Sequence, residues 1–161
     1  MRIGCLWFAT FPPGGPGHLN DRLRSRCFQM KPTINSILTV DDDAILQQVL
    51  KAYFERHGVR RILQAGDGAE AKRLLKEHPE IELVICDLHM PDVDGVEFID
   101  HLNESGSRAQ VLILSSANST TVAGATALAK AYGLSFIGAL PKPVNFEDLR
   151  RMLGWPRPGD T

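Results

Sequence analysis

Ile37-Leu38-Thr39-Val40-Asp41-Asp42-Asp43 decides the fold. Four residues of strand-forming, largely apolar type run directly into three carboxylates. A strand buried on both faces reads as such a run, and parallel sheets are built from strands of this kind. Three further stretches repeat the plan. Leu83 to Cys86 ends in Asp87, Val111 to Leu114 ends in Ser115, and Phe136 to Leu140 leads into Lys142. In a parallel α/β sheet the carboxyl ends of the strands gather along one edge, where ligands bind. Carboxylates, a hydroxyl and a lysine therefore converge there.

The segments between these strands have helical spacing. Asp43 to His57 predicts a helix with Ile45, Val49 and Tyr53 on one face and Leu46, Leu50 and Phe54 beside them. The first strand is expected over Ile34 to Val40. Val59 to Gln64 predicts a more polar strand at a sheet edge. Asp67, with Glu70 three residues on, predicts a capping box before a helix carrying Ala71, Leu74 and Leu75. Val96, Ile99 and Leu102 predict a short helix, and Thr120 to Tyr132 an alanine-rich, weakly amphipathic one. Ser135 to Leu140 predicts a strand whose Pro141 favours an edge. Asn145 caps a last helix with Phe146, Leu149, Met152 and Leu153. Trp155 onward reads as coil. Five βα units predict a doubly wound parallel sheet of flavodoxin-like order 2-1-3-4-5, with helices on both faces. That order makes Asp41, Asp42 and Asp87 neighbours.

Composition narrows the function. The chain has 161 residues and a net charge of -1, so bulk charge points to neither nucleic acid nor a membrane surface. No apolar run approaches the roughly 20 residues that span a bilayer. Cys5, Cys27 and Cys86 have neither metal nor disulfide spacing, and Cys86 is expected as a buried, inert thiol. A reducing cytoplasm fits these features. Residues 1–32 stand apart. Phe11-Pro12-Pro13-Gly14-Gly15-Pro16-Gly17 interrupts helix and strand alike, and Arg2, Arg22, Arg24, Arg26 and Lys31 face only Asp21. This stretch is expected to be a disordered extension, or to precede a true start at Met30. Its apolar start is too short for a secretion signal. Residues 33–154 form the domain and 155–161 a tail.

A carboxylate can act as the nucleophile that takes up a phosphoryl group as an acyl phosphate. In such a transfer the protein mainly positions groups and neutralises charge. Mg²⁺ takes oxygen ligands. Asp42 and Asp87 are candidate direct ligands, with Asp41 acting through water. Mg²⁺, Lys142 and Ser115 would then each face one phosphoryl oxygen. Asp41 and Asp43 also have the simpler role of capping the following helix.

With those residues in place, the sequence resembles the receiver domain of two-component response regulators over Ile34 to Leu153. The resemblance rests on Ile37 to Asp43, on Val84-Ile85-Cys86-Asp87-Leu88-His89-Met90-Pro91-Asp92-Val93-Asp94-Gly95, on Leu114-Ser115-Ser116-Ala117 and on Lys142-Pro143. It implies that Asp87 is the phosphoacceptor, charged by a sensor histidine kinase or a phosphotransfer protein. Asp41, Asp42, Asp87 and the backbone carbonyl of His89 would hold Mg²⁺. Ser115 would be the switch hydroxyl and Lys142 the phosphate contact, with a cis bond before Pro143. His89 and Ala117 occupy the positions that tune phosphoryl lifetime.

The position three residues before the lysine, usually aromatic, is Ala139, so the switch-aromatic place is vacant. The stretch Phe136 to Val144 resembles receivers found with EAL-type cyclic-di-GMP phosphodiesterases. No such domain follows Thr161, which implies a stand-alone or truncated receiver. The resemblance implies a single-domain regulator, not otherwise an enzyme, that switches affinity for an output protein through Thr120 to Leu153. The expectation is of no DNA-binding domain, and a homodimer is an option. Two rivals carry different expectations: a degenerate receiver binding partners without phosphorylation, and a haloacid-dehalogenase-type phosphatase with Asp41 as nucleophile. The second needs a late acidic pair at a strand end, whereas Glu147-Asp148 read as helix.

Overall fold

The computed structural model describes residues 34–90, 95–116 and 119–157. The readings of 1–32 as an extension, of the Pro91 to Asp94 loop, of Ala117 and of the last four residues lie outside them. Five parallel strands, β1 (Ser36–Val40), β2 (Arg61–Ala65), β3 (Leu83–Asp87), β4 (Gln110–Ser115) and β5 (Ser135–Pro141), form one sheet in the order β2-β1-β3-β4-β5. The helices are α1 (Ala44–Arg56), α2 (Gly68–Glu77), α3 (Gly95–Glu104), α4 (Ser119–Ala131) and α5 (Phe146–Met152). This is the predicted doubly wound, flavodoxin-like architecture.

Alternation along each strand divides the core in two, because successive side chains point to opposite faces. Leu38, Val40, Val84, Cys86, Val111 and Ile113 meet α2, α3 and α4 through Leu74, Phe98, Ile99, Leu102, Ala125 and Ala129. Ile37, Leu83, Ile85, Leu112 and Leu114 meet α1 and α5 through Leu50, Phe54 and Leu149. β2 and β5 are the edges, and they are the two strands with incompletely buried residues throughout most of their length.

Local outcomes differ from the sequence reading, beginning with β1, which starts at Ser36 and not at Ile34. On α1 the buried residues are Gln47, Leu50 and Phe54, while Ile45 is 78% exposed and Val49 44%. The helix rolls so that a glutamine takes an inward place that periodicity alone assigns to the Ile45 row. β2 starts at Arg61, two residues later than predicted, because Arg60 and Arg61 donate to the Asn35 carbonyl ahead of the ladder. β5 contains a bulge. Val111 pairs with Phe136 but Leu112 pairs with Gly138, leaving Ile137 as the extra residue. Gly138 has φ +157°, and an added Cβ there would lie 2.1 Å from Met152 Cε. The bulge puts Phe136 and Ala139, three residues apart, on the same face of the sheet.

The caps are as expected, with one shift. Asp43 Oδ1 accepts from the N–H groups of Ile45 and Leu46, and Asn145 Oδ1 from those of Glu147 and Asp148. Asp67 accepts from Glu70 N–H, but the Glu70 carboxylate accepts from Gly66, one residue before the cap. Trp155 lies outside helix and strand, yet it packs against Tyr53, Phe54 and His57 of the α1 end.

Candidate functional site

Register brings the acids together. Val40 pairs with Cys86, so Asp41 and Asp87 leave adjacent strands side by side. Asp87 pairs with Leu114, and Ser115 with Pro141, which sets Ser115 and Lys142 at the next two strand ends. Lys142 N–H donates to the Ser115 carbonyl at 3.1 Å. The peptide bond from Lys142 to Pro143 is cis. Asp41, Asp87 and Ser115 are buried, whereas Asp42 and His89 are exposed at the rim. Glu147 and Asp148 lie in α5, where Glu147 pairs with Arg150, and stand apart from any strand end. The phosphatase reading thereby loses its acidic pair.

One oxygen from each of Asp41, Asp42 and Asp87 lies within 4.8 Å of the others. Asp41 Oδ1 accepts from Asp43 N–H at 2.9 Å, and Asp87 Oδ1 from His89 N–H at 2.9 Å. Lys142 Nζ stands 2.6 Å from both Asp87 Oδ2 and Asp41 Oδ2. The contact to Asp87 has hydrogen-bond geometry. That to Asp41 is an ion pair of the same length, so one ammonium bridges both acids. A hard cation is what such a donor set accepts: clustered carboxylate oxygens whose mutual repulsion a divalent charge relieves.

Burial pushes the Asp41 carboxyl above its usual range; Lys142 and the Asp43 amide oppose this, and the Asp87 charge adds to it. Burial pulls the Lys142 ammonium down, but its bonds and charge interactions with Asp41 and Asp87 outweigh this and hold it above its usual value. Burial, with the neighbouring acids, pushes the Cys86 thiol up to about 12. It is an inert neutral group beside the site, as its place in a strand predicts.

Two features of the site were missed in the sequence. Lys142, expected only as a phosphate contact, bridges two acids here. Gln47, one of two consecutive glutamines in a helix, carries no sequence signal of burial. Its amide donates to the Asp41 carbonyl at 2.8 Å and the Ala65 carbonyl at 2.6 Å. Among the described residues no helix is long and apolar enough to cross a membrane.

Comparison with known proteins agrees with the fold. Residues 37–154 match the family model of the response regulator receiver domain. The chain is 28% identical to the cyclic di-GMP phosphodiesterase RocR of Pseudomonas aeruginosa over 118 residues, covering 73% of this chain and 30% of that protein. It is similar to the crystal structure of a response regulator from Colwellia psychrerythraea, with 32% identity, a TM-score of 0.62, and coverage of 75% and 94% of the two chains. It is also similar to the CheX–CheY–BeF3–Mg complex from Borrelia burgdorferi, at 25% identity, TM-score 0.65, and coverage of 73% and 85%. The chain spans about a third of the length of the curated relatives it matches first.

Proposed function

The chain belongs to the response regulator receiver domain family of two-component systems, and from that premise we propose that it accepts a phosphoryl group on Asp87 and so changes its affinity for a partner protein. The donor is the phosphohistidine of a sensor kinase or phosphotransfer protein. A carboxylate oxygen of Asp87 forms the new P–O bond as the P–N bond breaks, and the histidine leaves with the electron pair. Water later cleaves the acyl phosphate and restores the carboxylate.

The observation that carries this reading is the convergence of Asp41, Asp42 and Asp87 within 4.8 Å, with Lys142 Nζ 2.6 Å from Asp87. Asp41, Asp42, Asp87 and the His89 carbonyl would hold Mg²⁺, whose charge offsets repulsion among the acids and the phosphoryl oxygens. Lys142 already sits on Asp87, so an ammonium stands where anionic oxygens would arrive. Ser115, at the end of the next strand, is the switch hydroxyl. His89 and Ala117 set the lifetime of the phosphoryl group. Residues 33–154 suffice for the chemistry, in the cytoplasm, and 1–32 are a dispensable extension.

The output surface runs over Thr120 to Leu153, because Ser115 and Lys142 lead directly into it. A second copy of this chain is one candidate partner for that surface. Acetyl phosphate with Mg²⁺ is expected to label Asp87, and beryllofluoride to bind only when Mg²⁺ is present. Labelling at Asp41 or Asp43 instead overturns the assignment. A chain that binds its partner equally with and without the label is the phosphorylation-independent module, the reading that the vacant place at Ala139 favours.

A further inference from the structure

We infer that Gln47 is a positioning residue for the acidic site, fixing the backbone on both sides of Asp42. This inference rests on the proposed Mg²⁺ and phosphoryl chemistry and adds to it a residue outside the acid, hydroxyl and lysine set.

Gln47 sits one turn into α1 and is 6% exposed. Its Nε2 donates to the Asp41 carbonyl at 2.8 Å, and its backbone N–H donates to the Asp43 carbonyl at 3.0 Å. One residue thereby grips the main chain just before and just after Asp42. The same Nε2 donates to the Ala65 carbonyl at 2.6 Å, which also accepts from Asp41 N–H at 3.1 Å. The carbonyl ends of β1 and β2 are tied to α1 through a single amide.

The orientation of that amide is set by chemistry. Two carbonyls face its nitrogen, so an oxygen in that place would be repelled. On the other side Thr39 Oγ1 donates to Oε1 at 2.9 Å. Thr39 is fully buried and contributes no charge. Gln64 Nε2 closes the network by donating to the Gln47 carbonyl at 2.8 Å. Asp41 is consequently held at its N–H, at its carbonyl and at Oδ1. Oδ2 is left facing Lys142 and the cation position.

Groups that orient metal ligands alter affinity without touching the metal; their loss typically costs about 10–100-fold. Gln47→Met keeps the shape and removes the donors. It is expected to raise the Kd for Mg²⁺ about tenfold in the folded protein. It should also speed amide exchange at Asp43 in the metal-free protein, where Asp41 Oδ1 is the acceptor. Saturating Mg²⁺ should restore acetyl phosphate labelling of Asp87 to the unmutated rate. Thr39→Val removes the bond that orients the amide, and should shift both readouts the same way by a smaller factor.

A lower melting temperature in Gln47→Met with unchanged Kd and unchanged Asp43 exchange overturns the inference, leaving Gln47 a packing residue. If Gln47→Met fails to fold, Thr39→Val decides by the same two readouts. If the unmutated chain neither binds Mg²⁺ nor labels on Asp87, the functional reading fails and this inference fails with it.

Discussion

The two helices flanking β5 are held to the sheet by opposite means. α5 is fixed by large side chains. Leu149 is fully buried, and the Phe146 ring lies 4.7 Å from that of Tyr53 on α1. Trp155, just past α5, stacks on His57 at 5.0 Å and meets Phe54 edge-on at 5.8 Å. The buried Arg150 holds both ends of this clasp, bonding Glu147 at 2.7 and 3.0 Å and donating to the Trp155 carbonyl. α4 has no such anchors. Its buried residues are Ala125 and Ala129, and Val122 and Leu128 are only partly covered. Its far end is tied by Tyr132 Oη, which donates to Asp100 on α3 at 2.6 Å.

Small contacts forfeit little dispersion energy when they slide, whereas a displaced Trp or Phe opens a cavity. Within the output surface, an event at Ser115 and Lys142 should therefore move α4 about its tied end, with α5 as the fixed part against which it moves. The vacancy at Ala139 belongs to the same picture. The bulge turns that residue to the α4 side, onto the cluster that includes Ala125 and Ala129.

The largest expected effect removes the trigger. Asp87→Asn should reduce acetyl phosphate labelling to background. It should also abolish any change that beryllofluoride causes in α4, while the fold stays intact. A persisting α4 response in that variant would uncouple α4 from the site.

Next in size is the clasp. Trp155→Ala is expected to cost about 2 kcal/mol of stability, toward the lower end for buried large-to-small changes because the ring is partly exposed. Leu128→Ala on α4 should cost about 1 kcal/mol. Urea titration of both variants compares them, and equal losses would erase the distinction between the helices.

Amide exchange with and without beryllofluoride and Mg²⁺ tests the motion itself. Changes should appear in 119–131 and leave 146–152 within error. Equal changes in both helices would make α5 part of the moving surface.

The smallest effect isolates the site from both helices. The Asp41 carboxyl is raised by burial, so its charged form costs the folded state stability, and that cost appears as pH rises above the usual value of 3.8. Asp41→Asn should melt higher than the unmutated metal-free protein at neutral pH, and the gain should vanish as pH falls toward 3.8. A gain that persists at acid pH would trace to packing and not to charge. Lys142 has the opposite linkage. Its raised value stabilises the folded state at neutral pH, and that contribution is lost as pH rises above 10.5.

Sequence alone determined where the strands stop and what stands at their ends. Apolar runs that terminate in Asp41, Asp87, Ser115 and Lys142 are local signals, and right-handed crossovers leave few ways to order the strands. Family, sheet order, the acidic cluster and the helix caps all follow from such signals. Tertiary structure decided which way each element turns. The roll of α1 exposed Ile45 and buried Gln47, because the carbonyl ends of β1 and β2 need a donor that an isoleucine lacks. The bulge at Ile137 set the face of Ala139, a one-residue register shift that β-strand periodicity cannot contain. Trp155 reads as coil because it has no repeating neighbours, yet it finds partners a hundred residues away on α1. Lys142 bridges Asp41 and Asp87 because three strand ends meet within reach of one ammonium, and that distance exists only in the folded chain.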